Sequence, residues 1–485
     1  MKHIRREAPI QRALMEFAEK QPKRFHVPGH KGGHCIQPNA YPTHQTVMKW
    51  DVTELTGLDD LHHPEGMIAD AQMLAAQTFF AEQTFFLVNG STVGNISMIL
   101  ATMNRGKQVL VQRNSHKSIF HGLALAGAEA IFLEPEVCPT FAVPIGLHVE
   151  TVKQAVGKYP KAKGLILTYP NYYGMAGDIQ EMVEYVHHKG LFVLVDEAHG
   201  AHFGQYTGLP PSAMNLGADI SVQSTHKMLT SMTMTSMLHV QGNRVSRADL
   251  KYYLQSLQSS SPSYPLMASL DLARQFIQDR TEDDWRLSIA EYEELRTQIG
   301  QAGYVASSLI VQEANQFRVE MDPYKLTIRS IEGLSGYALQ ERLEQKNIYC
   351  EMADPQNILL TLPLDPVEEW NQALVQELQN IYVQHKPKTY VEPHISISSK
   401  HKEGKIGQPI VMKSYREHEQ QEVLFSSSIG KIATEMIIPY PPGIPLILSG
   451  ERITSEAIQS ITQLQEKGAY FQGKNRGFKT IKVEV

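Results

Sequence analysis

Seven short apolar runs, separated by helical stretches, dominate the chain between residues 85 and 240. They read TFFLVNG, KQVLVQR, EAIFLEP, KGLILTYP, GLFVLVDEA, ADISVQST and TSMLHVQ. Apolar residues fill both faces of most runs, which indicates strands that are covered on both sides. Amphipathic segments such as IQEMVEYVHHKG lie between several of them. The pattern predicts an α/β fold with a mostly parallel seven-stranded sheet flanked by helices, in which ligands bind beyond the carboxyl ends of strands.

The chain has 485 residues, a length that suggests two or three domains. After residue 300, the segments YKLTIRS, SGYALQERLEQKNIYCEMA and NILLTLPL predict a smaller α+β unit. The polar passage QHKPKTYVEPHISISSKHKEGKIG predicts a linker or exposed loop, and the prolines of PYPPGIPL predict a fixed extended turn. We therefore predict an N-terminal arm with a glycine-rich loop (1–60), a large domain (61–300), a small α+β domain (301–390) and a C-terminal domain (391–485).

Composition excludes several classes of function. The net charge of −6 gives no basic field for nucleic acid. Three scattered cysteines (Cys35, Cys138 and Cys350) favour a reducing compartment and provide no disulfide or zinc framework. The charged N-terminus lacks an apolar signal core, and no apolar run is long enough to cross a bilayer. We expect a soluble cytoplasmic protein without nucleic-acid or membrane partners.

Lys227 stands in the stretch STHKMLTSM, between two apolar runs that are predicted to be buried. A lysine at a strand end often extends its amine to water, which is the structural interpretation. A buried lysine amine can instead act as a nucleophile that forms a Schiff base with an aldehyde. Hydroxyl side chains surround Lys227, so the functional interpretation predicts a phosphorylated aldehyde, pyridoxal 5′-phosphate (PLP), as cofactor.

PLP needs a carboxylate at its ring nitrogen and donors for its phosphate. Asp196 ends the apolar run LFVLVD, where it either caps the next helix or keeps a pyridine ring protonated. The motif NGSTVGN places Ser91 and Thr92 between a strand and a helix. Backbone N–H groups and hydroxyls at a helix start suit a phosphate, although Ser and Thr also serve as ordinary N-caps.

Several histidines have both a structural and a functional interpretation. His116, in RNSHKS, is a candidate to stack on the pyridine ring, and His199 and His226 adjoin the candidate acid and lysine. In HVPGHKGGH, three histidines are spaced by four residues, as metal ligands on a helix would be. A proline and three glycines within that stretch disfavour a helix, so we predict a glycine-rich loop and no metal site.

These motifs, in the order NGST, NSHKS, VDEAHG and STHK, resemble the fold type I PLP-dependent enzymes, the aspartate aminotransferase fold. The segments HVPGHKGG, TELTGLDDLHHPEG, NGSTVGN, RNSHKS, VDEAHGAHFG, SPSYPLMASLD and PYPPGIPL are similar to the Orn/Lys/Arg decarboxylase family. The similarity is to its short Gram-positive form, near the arginine decarboxylases, and it covers nearly the whole chain.

The resemblance implies a role for each candidate residue. Lys227 would carry the cofactor, Asp196 would pair with the pyridine nitrogen, and His116 would stack on the ring. The phosphate would be held by Ser91, Thr92 and Ser224. His226 would lie beside the phosphate or substrate and, like Lys227, is a candidate proton donor. Larger relatives often carry a tryptophan in place of His199, which leaves the role of His199 open. A homodimer is the implied minimal assembly.

The implied reaction is decarboxylation of a basic L-amino acid, with arginine favoured and agmatine as a product for polyamine (spermidine) biosynthesis. Lysine and ornithine remain alternatives. A basic substrate needs an acidic partner, for which Asp60 (with Asp59) and Glu435 are candidates. An aminotransferase or PLP aldolase remains open within the same fold, and a non-catalytic PLP-binding regulator is an alternative from another class.

Overall fold

The computed structural model describes residues 7–36, 42–308, 312–314, 317–385, 405–413, 419–440 and 443–485. Most of the polar passage that was predicted as a linker lies outside these ranges, as do the first six residues of the N-terminal arm and the two prolines that follow Tyr440. Within the described ranges, no helix combines the length and the apolar character needed to cross a membrane.

The strands form sheets of two to eight members. Their bounds are β1 Gln83–Leu87, β2 Gln108–Gln112, β3 Glu129–Leu133, β4 Val137–Cys138, β5 Val143–Pro144, β6 Ala162–Thr168, β7 Met175–Gly177, β8 Phe192–Asp196, β9 Ile220–Gln223, β10 Ser236–Val240, β11 Val305–Ala306, β12 Gln312–Ala314, β13 Phe317–Met321, β14 Lys325–Arg329, β15 Met352–Ala353, β16 Asn357–Thr361, β17 Ile410–Val411, β18 Gln420–Leu424 and β19 Thr480–Glu484.

Helices alternate with the strands along the chain. Their bounds are α1 Pro9–Glu19, α2 Pro42–Trp50, α3 Met67–Thr78, α4 Gly90–Thr102, α5 Lys117–Ala126, α6 Val149–Lys158, α7 Gln180–His188, α8 Thr225–Met228, α9 Arg247–Leu257, α10 Tyr264–Asp279, α11 Glu282–Gln301, α12 Gly336–Glu344, α13 Glu368–His385, α14 Phe425–Ser428 and α15 Ser455–Glu466.

The seven predicted strands all form, and they lie in one sheet of order β1-β10-β9-β8-β6-β2-β3-β17. The eighth member, β17, is a two-residue strand from the C-terminal part of the chain that pairs antiparallel with β3. Strands β8 and β9 are parallel, as are β6, β2 and β3. The predicted α/β fold with a mostly parallel sheet flanked by helices is confirmed.

Strand β10 runs antiparallel to both of its neighbours, β9 and β1. The connection from β9 to β10 contains only the four-residue helix α8. A parallel return would need a longer crossover, usually with a helix that covers the sheet. The chain therefore turns back beside β9, and this turn carries Lys227.

The chain divides into two units. The first comprises Met1–Thr102, Leu194–Thr207 and Pro211–Thr281. Its helix α4 lies against its sheet so closely that a Cβ on Gly94 would approach side-chain atoms of Leu87 and Val222 to 2.8 Å. Only glycine permits this approach. Gly94 therefore fixes how near the start of α4 lies to the carboxyl ends of β1 and β9.

The second unit comprises Met103–Val193, Gly208–Pro210 and Glu282–Val485. It contains the four-stranded antiparallel sheet β11-β14-β16-β15 together with α12 and α13, which confirms the α+β segment expected after residue 300. Nearer the C-terminus, β18 and β19 pair and pack with α15 around a cluster that includes Ile437, Ile461 and Ile481. The domain boundaries at residues 60, 300 and 390 stay predictions.

A buried ion pair anchors helix α1 in the first unit. Asp271 and Arg274 on α10 are 0% exposed, and Asp271 also accepts a hydrogen bond from the Ile10 backbone at 3.0 Å. Arg274 in turn donates to the Glu7 carbonyl. We expect Asp271→Asn to lower the free energy of unfolding by about 3–5 kcal/mol, because it leaves a buried guanidinium without its counter-charge. Chemical denaturation measures this loss.

The matched control is Asp283→Asn, which breaks an exposed pair with Arg286. Exposed pairs contribute little, so the control should unfold like the wild type. Equal stability of the Asp271 and Asp283 variants would contradict the anchoring role.

Candidate active site

Three hydroxyl groups converge at the start of α4 in the first unit. Ser91 Oγ lies 2.5 Å from Ser224 Oγ and 3.1 Å from Ser236 Oγ. Gly90, with φ +73°, turns the chain into the helix and donates its N–H to the Met234 carbonyl. Helix-start N–H groups beside clustered hydroxyls suit a phosphate. The structure thus brings Ser91 and Ser224 together, and their role as phosphate ligands stays a prediction.

Thr92 follows Ser91 on α4, but its side chain is exposed and takes no part in this hydroxyl cluster. Its predicted role as a phosphate ligand stays a prediction. Ser236, the first residue of β10, was missed from the sequence because it enters the cluster only through the antiparallel pairing of β10.

Asp196 ends β8 and is 2% exposed. Its Oδ2 accepts a hydrogen bond from Asn95 Nδ2 at 2.9 Å, and its Oδ1 accepts one from the Ala198 backbone at 3.3 Å. Burial raises the pKa of this carboxyl, while the charge of Lys227 and the two hydrogen bonds act in the opposite direction. A further cation or N–H donor at this carboxylate would therefore stabilise its charged form.

Asn95 was also missed from the sequence. It lies one helical turn after Ser91 on α4, so the spacing between the two residues was the available signal. One helix thus provides a hydroxyl for the phosphate end and an amide for Asp196.

Lys227 lies on α8, directly after β9, and is partly buried. The short helix ends at Met228, so the lysine lies at a turn and not inside a strand. Its Nζ is 3.1 Å from Nε2 of His199, which is 6% exposed. His199, whose role the sequence left open, is therefore in direct contact with the lysine amine.

His226 precedes Lys227, and its Nδ1 lies 2.7 Å from the Thr235 carbonyl. Burial lowers the pKa of His226, and the neighbouring Lys227 charge adds to this effect. The imidazole is thus favoured in its neutral form, with the proton on Nδ1 where the carbonyl accepts it. Its Nε2 then carries a lone pair.

His116 belongs to the second unit, where it caps the N-terminus of α5. Its Nδ1 accepts a hydrogen bond from the Ser118 backbone at 3.3 Å and lies 2.8 Å from Ser118 Oγ. The opposite edge of the ring faces Gly443, where an added Cβ would lie 3.2–3.3 Å from ring atoms. The orientation of this imidazole is therefore restrained at both edges. Its stacking on a cofactor stays a prediction.

The acidic candidates for substrate binding all hold contacts within the chain. Asp59 accepts hydrogen bonds from backbone N–H groups around the start of α3, an arrangement that lowers its pKa. Asp60 accepts one from the His62 backbone at 2.8 Å. Glu435 pairs with Lys474 at 2.7 Å and accepts the Lys482 backbone N–H. The substrate roles of Asp60 and Glu435 stay predictions.

The glycine-rich loop contains a single 3₁₀ turn, Lys31–Gly33, so its histidines do not line up along a helix. His30 Nε2 instead lies 3.0 Å from Asp51 Oδ2. Over the residues that the structure covers, no group of three or more His, Cys, Asp and Glu side chains is placed to hold a metal ion.

The first unit thus offers two kinds of recognition that match the two ends of PLP. Hydroxyls and helix N–H groups suit the phosphate, and a buried carboxylate suits a protonated ring nitrogen. Lys227, whose charge acts on Asp196, provides the amine that an aldehyde requires. The side chains that are present therefore fit this cofactor.

Comparison with known proteins supports the same cofactor. The family model described as Orn/Lys/Arg decarboxylase, major domain, matches residues 8–369, and that of the C-terminal domain matches residues 407–481. The uncharacterised Bacillus subtilis protein YaaO is 42% identical over 96% of both chains. An arginine decarboxylase of Bacillus anthracis is 32% identical over 98% of this chain and 97% of its own length.

Among solved structures, the lysine decarboxylase LdcF of Francisella novicida matches with a TM-score of 0.82. It is 20% identical and covers 99% of this chain and 81% of its own, so it supports the fold alone. The matched family depends on PLP, which agrees with the fit of the side chains. The chain therefore belongs to the Orn/Lys/Arg decarboxylase family.

Proposed function

We propose that this protein removes the α-carboxyl group of L-arginine, releasing CO₂ and agmatine for polyamine synthesis. Family membership already makes the chain a PLP-dependent amino-acid decarboxylase that acts on a basic substrate. The observation that carries the chemistry is the buried Asp196 carboxylate, on which the charge of Lys227 acts. Arginine is favoured because the near full-length relative from Bacillus anthracis is named an arginine decarboxylase.

When bound, PLP supplies a protonated pyridine ring that takes up the electron pair left on the substrate Cα as CO₂ departs. Asp196 holds the proton on the ring nitrogen, and Asn95 keeps the Asp196 carboxylate oriented. Ser91 and Ser224, with the N–H groups at the start of α4, hold the phosphate. Thr92 and His116 are assigned to the phosphate and the ring face by the family resemblance.

Lys227 would hold the cofactor aldehyde through its amine, and the same amine would be placed to return a proton to the substrate Cα. His199 Nε2, 3.1 Å from that amine, accepts or returns a proton as the lysine changes charge. His226 is the second candidate for proton delivery: its neutral form would first take up a proton at Nε2, because the Nδ1 proton is held by the Thr235 carbonyl. The Lys227 amine thus has an imidazole within hydrogen-bond distance, that of His199, with which it can exchange a proton.

The guanidinium of arginine requires an acidic partner. At Glu435, a substrate cation would have to displace Lys474, which already pairs with that carboxylate. At Asp60, the bond from the His62 backbone orients the carboxylate without neutralising its charge. Asp60 is therefore the better of the two candidates. We further propose a homodimer, which the family resemblance implies, in the cytoplasm, which the scattered cysteines and the charged N-terminus favour.

A substrate panel tests the proposal. Purified protein with PLP is offered arginine, lysine and ornithine separately, and mass spectrometry identifies the products. We expect agmatine and CO₂ from arginine, with kcat/KM about tenfold or more above the other two, because a buried polar site discriminates against a ligand that leaves it unpaired.

Cadaverine from lysine without agmatine from arginine would transfer the assignment to lysine. A keto acid in place of CO₂ would identify an aminotransferase. Binding of PLP without any turnover would favour a regulator.

A further inference from the structure

A buried polar network lies on the face of the sheet opposite the candidate site. In the parallel register Asp196 pairs with Val222, and both face helix α4. Side chains alternate between faces along a strand, so Ser221 and Gln223 point away from α4. Glu197, the residue after Asp196, turns to this same far face and is 0% exposed. The site therefore has a polar layer directly behind it.

The Glu197 carboxylate joins the end of β8 to the end of β9. It accepts hydrogen bonds from Ser221 Oγ at 2.5 Å, from Gln223 Nε2 at 2.9 Å and from the Ala213 backbone at 2.8 Å. Burial raises the pKa of Glu197 to about 7, and the three donors counteract that rise. The Ser221 hydroxyl can either donate or accept, so this contact persists in both protonation states.

Gln223 extends the network to the other two strands. Because its amide N–H donates to Glu197, its Oε1 accepts from His239 Nε2 at 3.0 Å. Burial lowers the pKa of His239 to about 3, so the ring is neutral and its Nδ1 accepts from Thr84 Oγ1 at 2.8 Å. Each hydrogen bond in this chain is donated in the direction of Glu197. The three side chains that form it are at most 1% exposed: Thr84, Gln223 and His239.

The four connected strands are those that carry the candidate site. Strand β8 ends at Asp196, and β9 continues directly into Ser224 and Lys227. Strand β10 begins at Ser236, and β1 leads to Ser91. A satisfied polar network in a low-dielectric interior fixes one arrangement, whereas a group left unpaired there is strongly destabilising.

We propose that Glu197 and Gln223 are positioning residues: they hold β8 and β9 in one register, so that Asp196 stays aligned with Ser224 and Lys227. The proposal rests on the proposed function, which assigns those three residues to PLP. Neither Glu197 nor Gln223 touches the reacting atoms. Their effect should appear in the affinity and spectrum of bound PLP.

Three variants test the network. Gln223→Met keeps the length of the side chain but removes both of its hydrogen bonds. Gln223→Glu sets two carboxyl groups face to face. The exchanged pair Glu197→Gln with Gln223→Glu restores the pattern, because the amide at 197 then donates to the carboxylate at 223, which still accepts from His239.

PLP is titrated into each apoprotein and followed by visible absorbance and circular dichroism. We expect each single variant at position 223 to raise the Kd for PLP about tenfold, the effect of one unpaired buried group. The exchanged pair should return to within about twofold of the wild type. If Gln223→Met does not fold, Ser221→Ala provides a milder change in the same network.

Ser288→Ala is the matched control, since Ser288 is 3% exposed and its hydroxyl lies 2.6 Å from Tyr324 Oη in the second unit. It should lower the unfolding temperature and leave the Kd for PLP unchanged. The positioning role is overturned if Gln223→Met behaves like this control, or if the exchanged pair fails to restore binding. Asp196→Asn distinguishes a failure of the positioning role from a failure of the proposed PLP site. Unchanged PLP binding in that variant would overturn the assignment of Asp196 to PLP.

Discussion

Replacing Lys227 with alanine is expected to lower kcat by about 10³-fold or more, the largest effect of any single change in this chain. The substitution removes the amine that we propose binds the cofactor and returns a proton to the substrate. Lys227 is also the amine whose charge acts on the buried Asp196 carboxylate. Initial rates of CO₂ release measure the decrease in kcat. Visible absorbance after addition of PLP shows whether the cofactor is still covalently attached to the protein.

Lys325→Met is the matched control for a lost lysine. Lys325 is 1% exposed and its Nζ lies 2.7 Å from Thr361 Oγ1 in the small sheet of the second unit. This variant should be less stable yet bind PLP with wild-type absorbance. A Lys227→Ala protein that kept both turnover and the visible band would show that another group carries the cofactor.

The fold was predictable because its signal is local. Each of the seven strands is an apolar run that can be recognised without knowing its neighbours, and the segments between them have helical periodicity. The direction of β10 was not predictable in this way. It depends on the short turn after β9, which contains only α8, and on pairing with β1 near the start of the unit.

The site was predicted in part for a similar reason. Asp196 is the last residue of β8 and Ser224 follows β9, and the carboxyl ends of parallel strands lie along one edge of the sheet. Asn95 and Ser236 were missed, since neither stands in a motif that indicates its partner. The turn that carries Lys227 was not predictable either, because flanking apolar residues do not specify where a turn lies.

The network behind the site could not be found from the sequence at all. Thr84 and His239 are separated by 155 positions and look like ordinary strand residues. Gln223 precedes the motif STHK but is not part of it. Their hydrogen bonds become visible only when the register of β1, β10 and β9 is known. Residues that position a site through such contacts leave little local signal.

Replacing Asp196 with asparagine is expected to lower kcat by about 10²–10³-fold, the usual effect of removing one preorganised charge from an active site. Asparagine preserves the shape and can still contact Asn95, but it cannot keep a proton on the pyridine nitrogen. Because the side chain is only 2% exposed, water cannot take over that role. The affinity for PLP should fall as well, by about tenfold.

Asp219→Asn makes the same chemical change at a side chain that is 1% exposed in the same unit, where Asp219 pairs with Arg244 at 3.3 Å. Steady-state kinetics and PLP titration are measured for both variants. They distinguish the effect of losing any buried carboxylate from the effect of losing the Asp196 carboxylate. The Asp219 variant should retain wild-type affinity for PLP. If the two variants lost activity equally, Asp196 would be a structural residue. Another group would then have to keep the pyridine nitrogen of the cofactor protonated.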